Sequence, residues 1–281
     1  MRVTKAFKLV NGSGSVLDIS GSDYFFTNIS GMGFGRDNKF QSIGSQYKLV
    51  SNSFRQSSIK GDVYIYGDDS AAKKYKDFVE FCMSEPVRLL HTPETNGKEY
   101  TVNVLVSSIE IAERNIGMIV AKVTFDTLGN WYRDVYSSVV AGGIGKTYDY
   151  QYSYQYNDTE KGTAFVDVDT SLPSGTVIEI VGPCVNPIWK YYIDGKLAGE
   201  GKADISIEAG NKLVIDTTTI PYTMSVLDMK NQVISNAYNV GDFNTQRFFL
   251  AKKGRNRVSI VSQARAETDV LLKVRMEYAS I

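Results

Sequence analysis

The sequence predicts a mainly β protein of two domains, an α+β domain followed by an antiparallel sandwich or jelly roll. Three observations predict it. One segment alone in the first half has apolar residues at helical spacing. Short runs rich in Val, Ile, Tyr and Phe fill the rest of that half. From Thr163 onward, strands and turn signals recur every eight to twelve residues without a useful helical stretch. A length of 281 residues suits two domains.

Val63–Tyr66, Val87–Leu90 and Tyr100–Val106 read as strands from their β-branched and aromatic content. Ile109–Glu113 and Met118–Phe125 flank a turn at Arg114-Asn115-Ile116-Gly117, which predicts an antiparallel hairpin. The helix lies between these strands. Asp69 or Ser70 is placed to cap it through a side-chain oxygen, and Tyr75, Phe78, Val79 and Cys82 form one apolar stripe. Pro86 ends it, because the residue before a proline is pushed out of the α region.

The texture changes after Trp131. Val139–Gly145 is small and flexible, as domain-joining sequence is. It leads into Tyr148, Tyr150, Tyr152, Tyr154 and Tyr156, whose strict alternation puts every ring on one face of a strand. Thr176–Val181 and Trp189–Ile193 are the next strands, with Asp194-Gly195 supplying a tight turn. Asp204–Glu208, Lys212–Asp216, Tyr222–Leu227, Gln246–Leu250, Arg257–Val261 and Val270–Tyr278 follow.

Composition excludes several classes of function. Hydrophobic residues at 43% and charged residues at 22% describe a globular protein with a real core. The 31 basic and 31 acidic side chains cancel, and neither half is basic enough to hold nucleic acid by neutralising phosphates. The N-terminus lacks the apolar core of a signal peptide, and no apolar run approaches a membrane span. Cys82 and Cys184 lack metal spacing and read as buried small hydrophobes. No nucleotide-binding, nucleophile-elbow or zinc-helix motif appears, so no catalytic residue, metal ligand or cofactor is assigned. Gly31-Met32-Gly33-Phe34-Gly35 lacks a phosphate loop's ending and reads as a flexible loop or bent strand. His91, the only histidine, is expected at a surface or domain edge. Asp167, Asp169, Glu179 and Asp216 are the carboxylates a glycosidase would need, but any β-sandwich carries such residues.

Two features invite a contact reading. The tyrosine strand and Trp189 make a candidate aromatic surface: rings packed on a neighbouring domain, a subunit contact, or a platform for sugar. Arg247, Lys252, Lys253, Arg255, Arg257 and Arg265 form a basic stretch, either a solvated face or a contact for an acidic partner.

An ordered series of segments also resembles a known family. Phe26–Gly33, Lys60-Gly61-Asp62-Val63, Tyr75–Phe81, Leu89–Thr92 and Thr127–Tyr132 resemble the N-terminal domain of the distal tail proteins of long, non-contractile-tailed phages. Tyr148–Tyr152, Asn211–Thr217, Val240–Phe243 and Phe248–Leu250 resemble that family's galectin-like C-terminal domain. The resemblance implies a tail-tube-like β-sandwich with one helix at 1–133, a linker and tyrosine strand at 134–162, and a galectin-like β-sandwich at 163–281. It further implies a non-enzymatic virion protein at the distal end of the tail, assembled in the host cytoplasm. Its partners would be five further copies in a hexameric ring, the major tail-tube protein, the baseplate hub protein and receptor-binding or side-plate proteins. DNA would meet it only in passing through the bore, and it would have no membrane anchor. Ring closure needs a heterologous interface, and residues 31–56 suit a reaching arm, with Phe34, Phe40, Tyr47 and Phe54 as candidate subunit contacts. The alternative is a carbohydrate-binding sandwich that contacts host cell-wall saccharide.

Overall fold

The computed structural model describes residues 6–140, 161–262 and 268–281. Two compact units emerge, Met1–Arg133 with Tyr278–Ile281, and Asp134–Glu277. Mainly antiparallel sheet with a single α-helix among the described residues, the chain has the fold class its sequence predicts.

In the first unit, Val16–Asp18, Ala6–Val10, Val87–Thr92 and the start of Tyr100–Asn115 pair in that order, all antiparallel. The far end of Tyr100–Asn115 then pairs with Met118–Thr127, which is followed by Ser58–Tyr66 and Tyr24–Ser30. The 100–115 strand therefore pairs with different neighbours along its two ends within one sheet, and register shifts at 106–108 and 111–113 mark irregularities along it. Ile109–Glu113 is thus part of one long strand rather than a separate one. Val87, Leu89 and His91 alternate inward with Val102 and Val104 opposite, and join Phe7, Phe26, Phe125 and Trp131 in the core.

The helix, α1, runs Ala71–Met83 and lies against Ser58–Tyr66 and Met118–Thr127. Ala71, Phe78 and Cys82 are buried, with Tyr75 half-buried on the same face. Ser70 occupies the cap position but makes no side-chain capping bond. The Gly67 carbonyl instead accepts the N–H groups of Ser70 and Ala71 at 3.1 and 2.7 Å. Lys74 pins the helix to the sheet, donating to Tyr66 O and to Asp23 Oδ1, each at 2.8 Å. Burial pushes the Cys82 thiol up to about 12, so it stays protonated as a small core hydrophobe.

The second unit holds strands of two large antiparallel sheets and a two-stranded pair, Cys184–Val185 with Ser206–Ile207. One runs Val270–Tyr278, Ser174–Val181, Asn211–Asp216, Thr223–Asp228, Val233–Asn236. The other runs Ser138–Val140, Lys161–Val168, Gly254–Val261, Ile188–Ile193, Lys196–Lys202. Alternate residues such as Ile178, Ile180, Leu213, Ile215, Val258 and Ile260 are buried. Tyr191 stacks on Phe249 at 5.0 Å, and the Phe249 carbonyl accepts from the Thr176 hydroxyl at 2.7 Å. That one residue therefore meets a side chain from each sheet.

Two expected strands differ. Asp204–Glu208 shortens to Ser206–Ile207, and Gln246–Leu250 is a loop that enters a strand only at Leu250–Ala251. The strand Lys196–Lys202 was not anticipated, because its glycines lower strand propensity.

Candidate assembly surfaces

Gly31 starts the departure of the chain from the first unit's sheet. Its φ is +85°, and a side chain there would overlap the Ser58 carbonyl oxygen, so glycine is required. Beyond it, Arg36–Ile43 and Gln46–Phe54 form a hairpin closed at Gly44-Ser45 and paired with no other described strand. Every residue of both strands is exposed.

Cross-strand register sorts the hairpin's side chains. Phe40 opposes Leu49 and Ser42 opposes Tyr47, so Phe40, Tyr47 and Leu49 share one face near the tip. Gln41–Lys48 and Ile43–Gln46 lie on the other. At the base, Phe34 meets Phe54 edge to face at 6.3 Å, and Arg36 lies over the Phe54 ring at 5.1 Å. Arg55 closes the neck, donating from its backbone N–H to Gly35 O at 2.9 Å and from Nε to Asp37 at 2.7 Å. All four aromatic residues expected on an arm are thus exposed on it or at its neck, from 43% at Phe54 to 77% at Tyr47. Leu49 and Val50 are exposed with them, and aliphatic residues in a polar run gave no such signal.

Beside the neck is an open groove of about 400 Å³, lined by Phe34, Phe54, Arg55, Leu128, Trp131 and Ala279 among others. An isolated two-stranded hairpin with an apolar face is at best marginally stable in water, and its open edges are templates for pairing.

The aromatic surface expected at Trp189 is corrected. Trp189 is fully buried, and its indole N–H donates to the Arg247 carbonyl at 3.2 Å. A Cβ at Gly201 would overlap the indole, so the facing strand is hollowed to admit it. Trp189 is a core residue and offers no platform. Tyr148, Tyr150, Tyr152, Tyr154, Tyr156 and Arg265 lie outside the described residues.

His91 is also relocated. It is 4% exposed, stacked on Phe7 at 4.1 Å and bonded through Nδ1 to Ala6 O at 3.2 Å, which makes it a core packing residue. The carboxylates have structural partners. Asp167 accepts two bonds from Arg255, whose hydrogen bonding holds its carboxyl below the usual range. Glu179 pairs with Lys212 at 2.7 Å, and Asp216 accepts from the Thr218 N–H and hydroxyl. Among the described residues, no group of three or more His, Cys, Asp or Glu is placed to hold a metal ion.

The basic stretch divides as well. Lys252 and Lys253 are solvated, and Arg257 lies over the Tyr192 ring at 4.1 Å. Arg247 is buried within a cluster of exposed rings that sequence reasoning missed, because Gln246–Leu250 reads as a strand.

This architecture is an antiparallel β protein of two units, the first carrying an exposed hairpin arm. Residues 6–128 match the family Dit_N, the distal tail protein N-terminal domain. Over its whole length the chain has the fold of a phage P2 baseplate chain, seen in the activated baseplate with Ca, at a TM-score of 0.66. Identity there is 15%, and the match covers 99% of this chain and 100% of that one. The Dit protein of phage SPP1, described as a hub adsorption apparatus paradigm, matches at 0.62 and 10% identity, covering 97% and 99%. No curated protein sequence matches. The resemblance carried by the N-terminal segments is borne out by that match over residues 6–128, and the chain shares the fold of these phage baseplate proteins.

Proposed function

We propose that six copies of this chain close into a ring at the distal end of a phage tail, joining the tail tube to the baseplate hub and anchoring receptor-binding proteins. The observation that carries the reading is the 36–54 hairpin, fully exposed and apolar along one face near its tip. A closed cyclic ring needs two different surfaces on each subunit. The arm supplies one, with Phe40, Tyr47 and Leu49 against the neighbouring copy and Phe34 and Phe54 at its root. Overall charge neutrality suits a bore that releases passing DNA. The N-terminal unit forms the ring in this reading, and the C-terminal unit serves as a scaffold for other baseplate proteins. Assembly takes place in the host cytoplasm.

Light scattering on the purified chain, alone and mixed with its hub and tube proteins, tests the proposal. A species near six times 31.2 kDa is expected, and Phe40→Asp with Tyr47→Asp should abolish it while the monomer stays folded. A chain that remains monomeric under every mixture refutes the ring.

A further inference from the structure

In the second unit, the loop that joins strands Val233–Asn236 and Leu250–Ala251 gathers aromatic rings around an arginine. Arg247 is only 9% exposed. Its guanidinium carbon lies 4.0 Å from the Phe243 ring centre, 4.5 Å from Tyr238 and 5.6 Å from Phe248. One terminal nitrogen donates to Tyr238 O at 2.8 Å, and the arginine's backbone carbonyl is held by the Trp189 indole. Gly241 makes room, since a Cβ there would stand 2.7 Å from Arg247 Cδ. These contacts thus hold the side chain before any ligand arrives.

A guanidinium has five N–H donors, and a buried one is ordinarily answered by a carboxylate. Among the described residues none pairs with Arg247, and the Tyr238 carbonyl is its sole hydrogen-bond acceptor. The rings answer part of the charge through their negative faces, and a fork of donors is left for an oxyanion. Around it, Phe243 is 63% exposed and Tyr238 39%, and Tyr222 extends the cluster through Phe248 at 5.5 Å. Exposed ring faces meet the weakly positive C–H face of a sugar. The amides of Asn244 and Gln246 are exposed beside them, with donors and acceptors suited to hydroxyls.

We propose that Arg247, Phe243 and Tyr238 form a binding site for an acidic saccharide, its carboxylate or phosphate on the guanidinium edge and its sugar face on the rings. The site stands apart from the ring reading, since a single chain carries all of it. Mixed ring faces and amides favour a saccharide over an acidic peptide, which would need further cations beside Arg247.

Calorimetric titration of the full chain tests the assignment with four probes: an oligouronate, a glycerol-phosphate oligomer, a neutral oligoglucoside and a glutamate-rich peptide. At least one acidic probe of the first two should bind about tenfold more tightly than the neutral sugar, and which one binds names the acid. Arg247→Lys keeps the charge but loses the fork, and should weaken binding about tenfold. Phe243→Ala removes only an exposed ring, so the fold survives, and should weaken it about tenfold as well. The assignment fails if neither acidic sugar binds, if the neutral sugar or the peptide binds as tightly, or if Phe243→Ala binds as well as the parent chain.

Discussion

The hairpins 36–54 and 188–202 are each two antiparallel strands closed by a short turn, and each carries prominent aromatic residues. The first keeps Phe40 and Tyr47 in water, while the second sinks Trp189 and Tyr191 into the core. What separates them is the surroundings of the rings. Strand Ile188–Ile193 is paired on both sides, and its neighbour offers Gly201 beneath the indole and Gly199 beneath Phe249. The arm is paired only with itself and has no such hollow among the described residues. An aromatic residue in a strand therefore marks an interface only when no small residue stands opposite to receive it.

Replacing the two sets of rings should separate the hairpins most sharply. Trp189→Ala is expected to destabilise the second unit by about 3–5 kcal/mol in denaturant unfolding, through the cavity and the orphaned Arg247 carbonyl. Gly201→Ala drives a methyl group into the indole and should cost about 1–3 kcal/mol. If Gly201→Ala proves neutral, the hollow is not what buries Trp189. Tyr47→Ala on the arm should change chain stability by less than about 0.5 kcal/mol while weakening self-association in light scattering.

One acid-side pH effect belongs to the second unit. Burial raises the Asp134 carboxyl, but hydrogen bonds and charge from Arg275 and Lys273 outweigh it and hold the group below its ordinary value. A depressed carboxyl stabilises the fold above its unfolded value, about 3.9, and that share is lost as pH falls through the folded value. Thermal melts should therefore decline below about pH 4, and Asp134→Asn should flatten that decline.

Much of this architecture is legible in the residues. Val270–Tyr278 is a strand with the bounds its alternation predicts, and Asp194-Gly195 adopts φ angles of +48° and +77° as a tight turn requires. The exposed arm follows from a polar, glycine-rich stretch too long for a turn. Whether anything covers it does not follow, because an exposed strand and a covered one look alike in sequence. His91 was legible in retrospect, since it continues the inward alternation of Val87 and Leu89. The Arg247 cluster was hidden because alternation of apolar residues describes a strand and a ring-lined loop equally well. Trp189 was misplaced because the glycine that receives it lies on another strand.

Tyr278–Ile281 belongs to the first unit, and the Tyr278 ring meets Tyr100 edge to face at 5.1 Å. The chain therefore leaves the first unit near residue 134 and returns to it at Tyr278. A single protease nick near residue 134 would leave the second unit covalently joined to Tyr278–Ile281, the strand end that the first unit keeps beside Tyr100.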